Sequence, residues 1–216
     1  MEQRISPYNY ILCSSFARVV ETLVQQWCVV PGQYRICYIA NAADFDKTWD
    51  DFPWWVLEDI EALKNLWYTL DFVDLRKENM ISLDEKLSSA NAVFVWWGNT
   101  FRLLQCMIES WFRDSIKKHM GNGLVYISTS AGSCVCSEDI TYVQFADNPA
   151  LAANTDYRGL WFLPLAIKPH FNKVTLSENT VRAFEFVYTR EHNPIICLKD
   201  SQAIVWTLDW LWKIVA

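Results

Sequence analysis

The sequence predicts an α/β protein of three layers: a mostly parallel sheet flanked by helices, with a β-hairpin at its C-terminal end. Three observations carry that prediction. Short apolar, β-favouring runs alternate with longer stretches in which apolar residues recur at helical spacing. The rhythm of strand, helix, strand, helix persists through the first two thirds of the chain, as a parallel sheet with helices on both faces requires. Only near the C-terminal end do strands follow one another without a helix, and there residues 203–207 and 211–215 read as a hairpin.

Taken in order, residues 10–13 read as a first strand, stopped by Ser14 and Ser15. Over residues 17–26, Val19, Val20, Leu23 and Val24 fall at helical spacing. Pro31-Gly32 makes a turn, and residues 35–40 form the second strand. The polar stretch 41–51 is a loop, and Pro53 suits the first turn of the next helix. There Val56, Leu57, Ile60, Leu63 and Leu66 share one face, with Glu58, Asp59 and Lys64 away from it. Residues 69–75 form a third strand, and a short helix over 83–88 takes Ser82 as its cap.

The fourth strand, 92–95, ends in Trp96-Trp97-Gly98-Asn99-Thr100. One long helix is expected from there to about Lys118, with Leu104, Met107, Ile108, Trp111 and Phe112 as its buried stripe. Gly121-Asn122-Gly123 stops it. Residues 138–159 are polar and irregular, a length at which loops usually carry function. Residues 162–167 read as a strand running into Lys168-Pro169-His170-Phe171. A helix over 178–188 takes Ser177 as its cap, residues 195–198 form a strand, and Lys199-Asp200-Ser201 turns into the hairpin. No repeat, linker or low-complexity segment intervenes, so residues 1–216 are expected to form one domain.

Composition narrows the function classes. A hydrophobic fraction of 52% is ample for a core, and a charged fraction of 20% is ordinary for a globular protein. The net charge of −6, with Lys and Arg unclustered, excludes a nucleic-acid surface. No apolar run approaches the ~20 residues of a membrane span, and the first residues lack the apolar core of a secretory signal. Seven scattered cysteines read as reduced thiols of a cytoplasmic protein. Cys134-x-Cys136 has no second cysteine pair, and three histidines are too few to suggest a zinc site. The oligomeric state stays open, a homodimer included. Twelve Trp beside six Gly is out of the ordinary. Trp210 follows Leu208-Asp209 where an Asp-Gly hairpin turn is expected, and Trp96-Trp97 stands at a strand-to-helix junction. The pattern suggests an engineered sequence in which some glycines have been replaced, with a natural Trp-rich variant as the alternative.

Chemistry concentrates in residues 124–136, LVYISTSAGSCVC. An apolar run breaks into small residues and then starts a helix, which exposes Ser130 at the apex of a sharp turn at the carboxyl edge of the sheet. A small-residue loop without chemistry is the competing reading, because Ser128 stands where G-x-S-x-G has its first glycine. A serine nucleophile needs a base. His119 closes a helix after Lys117-Lys118 and suits a capping role. His192 lies in a polar loop, whereas His170 follows an apolar strand and a proline, at the edge where parallel sheets bind ligands. Asp200 stands at a strand end and could orient the imidazole, with Asp139 and Asp156 as competitors. Backbone donors for an oxyanion could come from Ala131 and from the turn near Gly98.

Four segments, VFVWWGNTFRLLQ (93–105), VYISTSAGSCV (125–135), LPLAIKPHF (163–171) and IICLKDSQAIV (195–205), follow the order seen in peptidase E. The chain resembles that family of aspartyl dipeptidases, serine peptidases related in fold to the class I glutamine amidotransferases. The resemblance implies Ser130 as nucleophile, His170 as base, and Asp200 in the place of a family glutamate. It implies Gly98 and Ala131 beside the oxyanion, positioned by Asn99 and Thr100, and a short peptide substrate with an amino-terminal aspartate. Neither a metal nor an organic cofactor is implied. Trp96 and Trp97 occupy the first two glycines of the family's G-G-G-N-T, where indoles are expected to block substrate or displace an oxyanion donor. The rival expectation is a non-catalytic scaffold, engineered or degenerate, with the Trp pair plugging the old cleft. Arg102, Arg158 and Lys168 are candidates to meet an acidic side chain. A cysteine nucleophile is disfavoured, since Ser130 and not Cys134 holds the apex.

Overall fold

The computed structural model of the chain describes residues 4–43, 54–171, 178–188, 194–209 and 211–216. The chain starts with β1 (Tyr10–Cys13), α1 (Phe16–Gln25), β2 (Arg35–Ile39), α2 (Trp54–Asn65) and β3 (Thr69–Val73). It continues with α3 (Met80–Ser89), β4 (Ala92–Val95), α4 (Thr100–Glu109), α5 (Phe112–Gly121), β5 (Val125–Thr129) and the one-turn helix α6 (Ala131–Cys134). After a segment of 3-10 turns come β6 (Ala166–Lys168), α7 (Glu178–Phe186), β7 (Ile195–Cys197), β8 (Ala203–Trp206) and β9 (Trp212–Val215).

The main sheet has the order β3-β2-β4-β5-β1-β8-β9. Its first five strands are parallel, and β8 and β9 extend the β1 side antiparallel. β6 and β7 pair parallel in a separate small sheet. Successive side chains of a strand enter opposite layers. Ile11, Tyr38, Phe94 and Ile127 therefore pack with Phe16, Leu23 and Leu63 on one face. Their neighbours Leu12, Cys37, Val93 and Tyr126 pack with Leu104, Met107 and Phe112 on the other. Burial on both faces is why β1, β4 and β5 read as continuous apolar runs rather than alternating ones. The three-layer α/β architecture with a C-terminal hairpin is the one the sequence predicts.

Local expectations shift where capping and loop bonds decide. The expected long helix is two, α4 and α5, broken at Trp111, which has φ 65° and is 55% exposed instead of buried. Helix α3 starts earlier than Ser82. Asn79 accepts the Ile81 and Ser82 amides while Ser82 Oγ accepts the Asn79 amide, so Ser82 is the reciprocal partner of the cap. Residues 162–165 are no strand, because the Phe162 and Leu163 amides donate to Cys136 O just beyond α6. Pro53, most of the loop 41–51, Ser177, His192, Trp210 and the Val56 side chain lie outside the described residues. Among the described residues no helix is long and apolar enough to cross a membrane.

The face of α2 also differs from expectation. Leu57 is exposed, and Asp59 is buried at 5% exposure. The reason is a helix end: Asp59 Oδ1 accepts the Ala17 amide at 2.8 Å, one of the donors that α1 cannot satisfy internally. Burial pushes the Asp59 carboxyl up to about 7, against the hydrogen bond from the Ala17 amide that favours its charged form. An acid raised on folding gives up its proton first in the unfolded chain. Its contribution is therefore present below about pH 4 and lost as pH rises to about 7. Relative to an Asp59→Asn variant, the parent is expected to lose on the order of 2–4 kcal/mol across that window, read from urea unfolding at its two ends. A stability difference that does not change with pH would show that folding does not shift Asp59.

Candidate active site

Three strand ends meet at one edge of the main sheet. Cys13, at the end of β1, pairs with Thr129 of β5 and with Ala203 of β8. The residues just beyond, Ser14 and Ser130, therefore lie beside the turn that enters β8. Ser14 N donates to Gln202 O at 3.2 Å, and Ser130 N to Cys13 O at 3.0 Å. The small sheet brings the remaining residues. Lys168 is in register with Cys197, Leu198 N donates to Lys168 O at 2.9 Å, and Phe171 N to Leu198 O at 3.0 Å. His170 and Asp200 thus arrive side by side.

Ser130 sits at φ 51°, ψ −110°, a conformation that residues with a Cβ seldom take. The surrounding bonds hold it there. A Cβ on Gly132 would meet Val95 O at 2.3 Å, so only glycine lets α6 start this close to β4. Ser133 Oγ donates to Cys13 O at 2.8 Å and lies 2.8 Å from Ser128 Oγ. Ser128 is therefore tolerated where a glycine is usual, because its hydroxyl has a buried partner.

At the apex, Ser130 Oγ lies 2.9 Å from His170 Nε2, and His170 Nδ1 lies 2.6 Å from Asp200 Oδ1. Asp200 is 8% exposed, which favours a fixed hydrogen bond over a solvated one. A serine, an imidazole and a carboxylate in this line can take a proton from the hydroxyl and stabilise the resulting cation. Beside them opens a cavity of about 260 Å³, lined by residues that include Gly98, Ala131, Asp147 and Lys168. The amides of Gly98 and Ala131 have no acceptor among the described residues.

The model of peptidase family S51 matches residues 14–210. The chain belongs to peptidase family S51. An uncharacterized peptidase of Listeria monocytogenes serovar 1/2a is 28% identical over 173 residues, covering 80% of this chain and 82% of the relative. Peptidase E of Nostoc sp. strain PCC 7120 is 29% identical, over 54% of this chain and 45% of that protein. A crystal structure of a candidate Peptidase E protein from Listeria monocytogenes EGD-e aligns with a TM-score of 0.81 at 25% identity, covering 97% of this chain and 99% of that one. The family and fold expected from the four sequence segments are those found.

In this S51 family member, Asn99 and Thr100 act on the turn after β4 from behind. Gly98 has φ 136°, and a Cβ there would meet Ala42 O at 2.3 Å. Asn99 Oδ1 caps α4 through the Arg102 amide, and its Nδ2 donates to Asn148 O at 2.9 Å. The Thr100 amide and hydroxyl both donate to Asp147 Oδ2, at 2.8 and 2.6 Å. The irregular segment after α6 thus clamps the turn. Trp96 and Trp97 do not line the cavity among its described residues. Trp96 is fully buried in the opposite layer with Tyr38 and Phe94, and Trp97 packs on it at 5.1 Å between ring centroids. The expected plug is therefore corrected: Trp96 follows Phe94 onto the α1/α2 face, and Trp97, beyond the end of β4, folds back against it on the same side.

Two residues of the candidate site escaped the sequence reading. Ser14, read only as a strand terminator, accepts the His170 amide at 2.7 Å and donates to Asp200 Oδ1 at 3.2 Å. Asp147 lay unmarked in the irregular stretch. The available signal for Ser14 was its place just past a buried strand, at the edge shared with Ser130. Asp139 and Asp156 do not reach His170. Asp139 accepts the Thr141 amide, and Asp156 pairs with Arg158 and Arg113, which hold its carboxyl well below the usual range. His119 is corrected as well. It is 4% exposed and lies 2.7 Å from Asp84 Oδ1, so it ties α5 to α3 rather than capping a helix in solvent. Cys134 lines the cavity, but burial pushes its thiol up to about 12, which keeps it neutral and unreactive.

Proposed function

We propose that the chain is a serine-type hydrolase of short peptides with an amino-terminal aspartate. The observation that supports this best is the unbroken line from Ser130 Oγ through the His170 ring to Asp200, 2.9 Å and 2.6 Å in its two links. His170 Nε2 takes the hydroxyl proton as Ser130 Oγ bonds to the scissile carbonyl carbon. The carbonyl oxygen gains the electron pair and accepts hydrogen bonds from the Gly98 and Ala131 amides. His170 then hands its proton to the leaving amine as the C–N bond breaks, giving an ester on Ser130. A water, deprotonated by His170, hydrolyses that ester and regenerates the hydroxyl. Asp200 stays ionised throughout and fixes which ring nitrogen carries the resting proton.

Charge in the cavity supports the substrate reading. Asp147 uses Oδ2 for Thr100, which leaves Oδ1 to receive an α-ammonium. Lys168 lines the same cavity and suits a side-chain carboxylate. The other two cations fit less well. Arg158 pairs with Asp156 and its side chain is 73% exposed, and Arg102 is absent from the described lining. All seven cysteines are unpaired and six are buried, which supports a reducing, cytoplasmic setting.

The test is release of free amino acids from Asp-Xaa and Asn-Xaa dipeptides. The parent is expected to prefer Asp-Xaa. Lys168→Met is expected to raise KM for Asp-Xaa about 10–100-fold, the value of one charge-assisted hydrogen bond, while leaving Asn-Xaa turnover unchanged. Equal losses on both substrates would reject Lys168 as the carboxylate partner. No release from any short peptide, with the fold intact, would reject the hydrolase.

A further inference from the structure

Tryptophan occupies backbone positions in this chain that only glycine takes without strain. Among the described residues, those other than glycine with positive φ are Trp27 (57°), Trp67 (70°), Trp111 (65°), Trp161 (52°), Ser130 and His170. The last two belong to the candidate active site. The remaining four are all tryptophan, and they are 74%, 72%, 55% and 59% exposed. A side chain that costs energy through its Cβ can be retained for packing, but an indole in solvent offers little packing in return.

The fold contains its own control. Helix α5 is closed by Gly123, the residue after its C-cap Asn122: the Gly123 amide donates to Met120 O at 3.0 Å and the Leu124 amide to His119 O at 3.1 Å. That pair of bonds is the Schellman motif, in which the left-handed residue is usually glycine. Helix α1 ends in the same way, with Trp27 N to Val24 O at 3.0 Å and Cys28 N to Leu23 O at 2.7 Å. So does α2, with Trp67 N to Lys64 O at 2.8 Å and Tyr68 N to Leu63 O at 3.3 Å. At the end of α4, Trp111 is left-handed and its amide donates to Ile108 O at 3.2 Å. Tryptophan thus stands in the position of Gly123 at three helix ends.

We infer that the protein made in its source cells carries glycine at positions 27, 67, 111 and 161, from a UGA codon that the sequence renders as tryptophan. UGA is read as tryptophan in some genetic codes and as glycine in others. Point mutation does not produce the pattern. Single-base changes in glycine codons lead mainly to Ala, Val, Ser, Cys, Asp, Glu and Arg, and none of these has positive φ here apart from the active-site Ser130. One replacing residue at every such site points to one codon. The same reading accounts for twelve Trp beside six Gly, and it replaces deliberate engineering as the explanation.

Sequencing the gene and the tryptic peptides of the protein from its source cells tests this directly. UGA codons with glycine in the four peptides are expected. UGG codons, or peptides carrying tryptophan, overturn the inference. The tryptophan-bearing chain gives a second readout. Trp27→Gly and Trp67→Gly are each expected to raise Tm by about 2–4 °C over the matching Trp→Ala variants, since alanine removes the indole but keeps the Cβ. Glycine variants no more stable than alanine variants would show that these positions do not demand glycine.

Discussion

Ser130→Ala is expected to leave a folded protein that no longer reacts with a serine-directed acylating probe and whose turnover of Asp-Xaa falls about 10⁴–10⁶-fold. The size follows from removing the only group in the line that can form the acyl bond. What remains is binding in the cavity and the oxyanion amides, which alone still exceed the uncatalysed rate by roughly 10³–10⁴. The fold should survive because the Ser130 amide, not its hydroxyl, ties the elbow to Cys13, and the hydroxyl's recorded partner is His170 Nε2. Alanine must still adopt φ near 51°, so a small loss of Tm is expected alongside the loss of labelling. Undiminished labelling of the variant would move the nucleophile elsewhere in the chain.

The layers were legible in the sequence because burial on both faces leaves a strong mark. β1, β4 and β5 are short apolar runs, and nothing else in a chain of this length explains several of them between helical stretches. That Ser130, His170 and Asp200 lie together was legible in part, since each follows a short apolar run. His170 and Asp200, however, reach Ser130 from the separate β6-β7 sheet and not from the edge of the main one. What stayed hidden depends on a single partner across the fold. Asp59 looks like a surface acid until α1 presents the Ala17 amide to it. His119 looks like a helix terminus until Asp84 meets it from α3. Ser14 is invisible as a second hydrogen-bonding group on Asp200 until β1 lies between β5 and β8. The fate of Trp96 and Trp97 was hidden too, because the direction in which a strand releases its next residues is a property of the pleat and not of composition.

The reach of Asp200 is the point on which sequence alone was silent, and it carries the second large effect. An aspartate is one methylene shorter than the glutamate expected there, yet Nδ1 of His170 lies 2.6 Å from Asp200 Oδ1. The backbone makes up the difference: Leu198 N bonds to Lys168 O, which draws the 198–200 turn against the histidine loop. Asp200→Asn is expected to lower kcat about 10⁴-fold with KM and Tm little changed. An asparagine has nearly the same shape, so packing is kept. Its amide nitrogen, however, can turn toward His170 Nδ1 and drive the ring into the tautomer that carries its proton on Nε2. A ring in that state cannot accept the Ser130 proton, and the nucleophile is left unactivated. Ser14 sharpens the expectation, since its hydroxyl also donates to Oδ1 and to no other recorded acceptor. A carboxylate oxygen accepts both donors at once, whereas an asparagine that swings its nitrogen inward donates to Nδ1 and no longer accepts from the Ser14 hydroxyl. A variant that retained full kcat would mean that Asp200 serves only to anchor the turn, and that His170 works without an orienting charge.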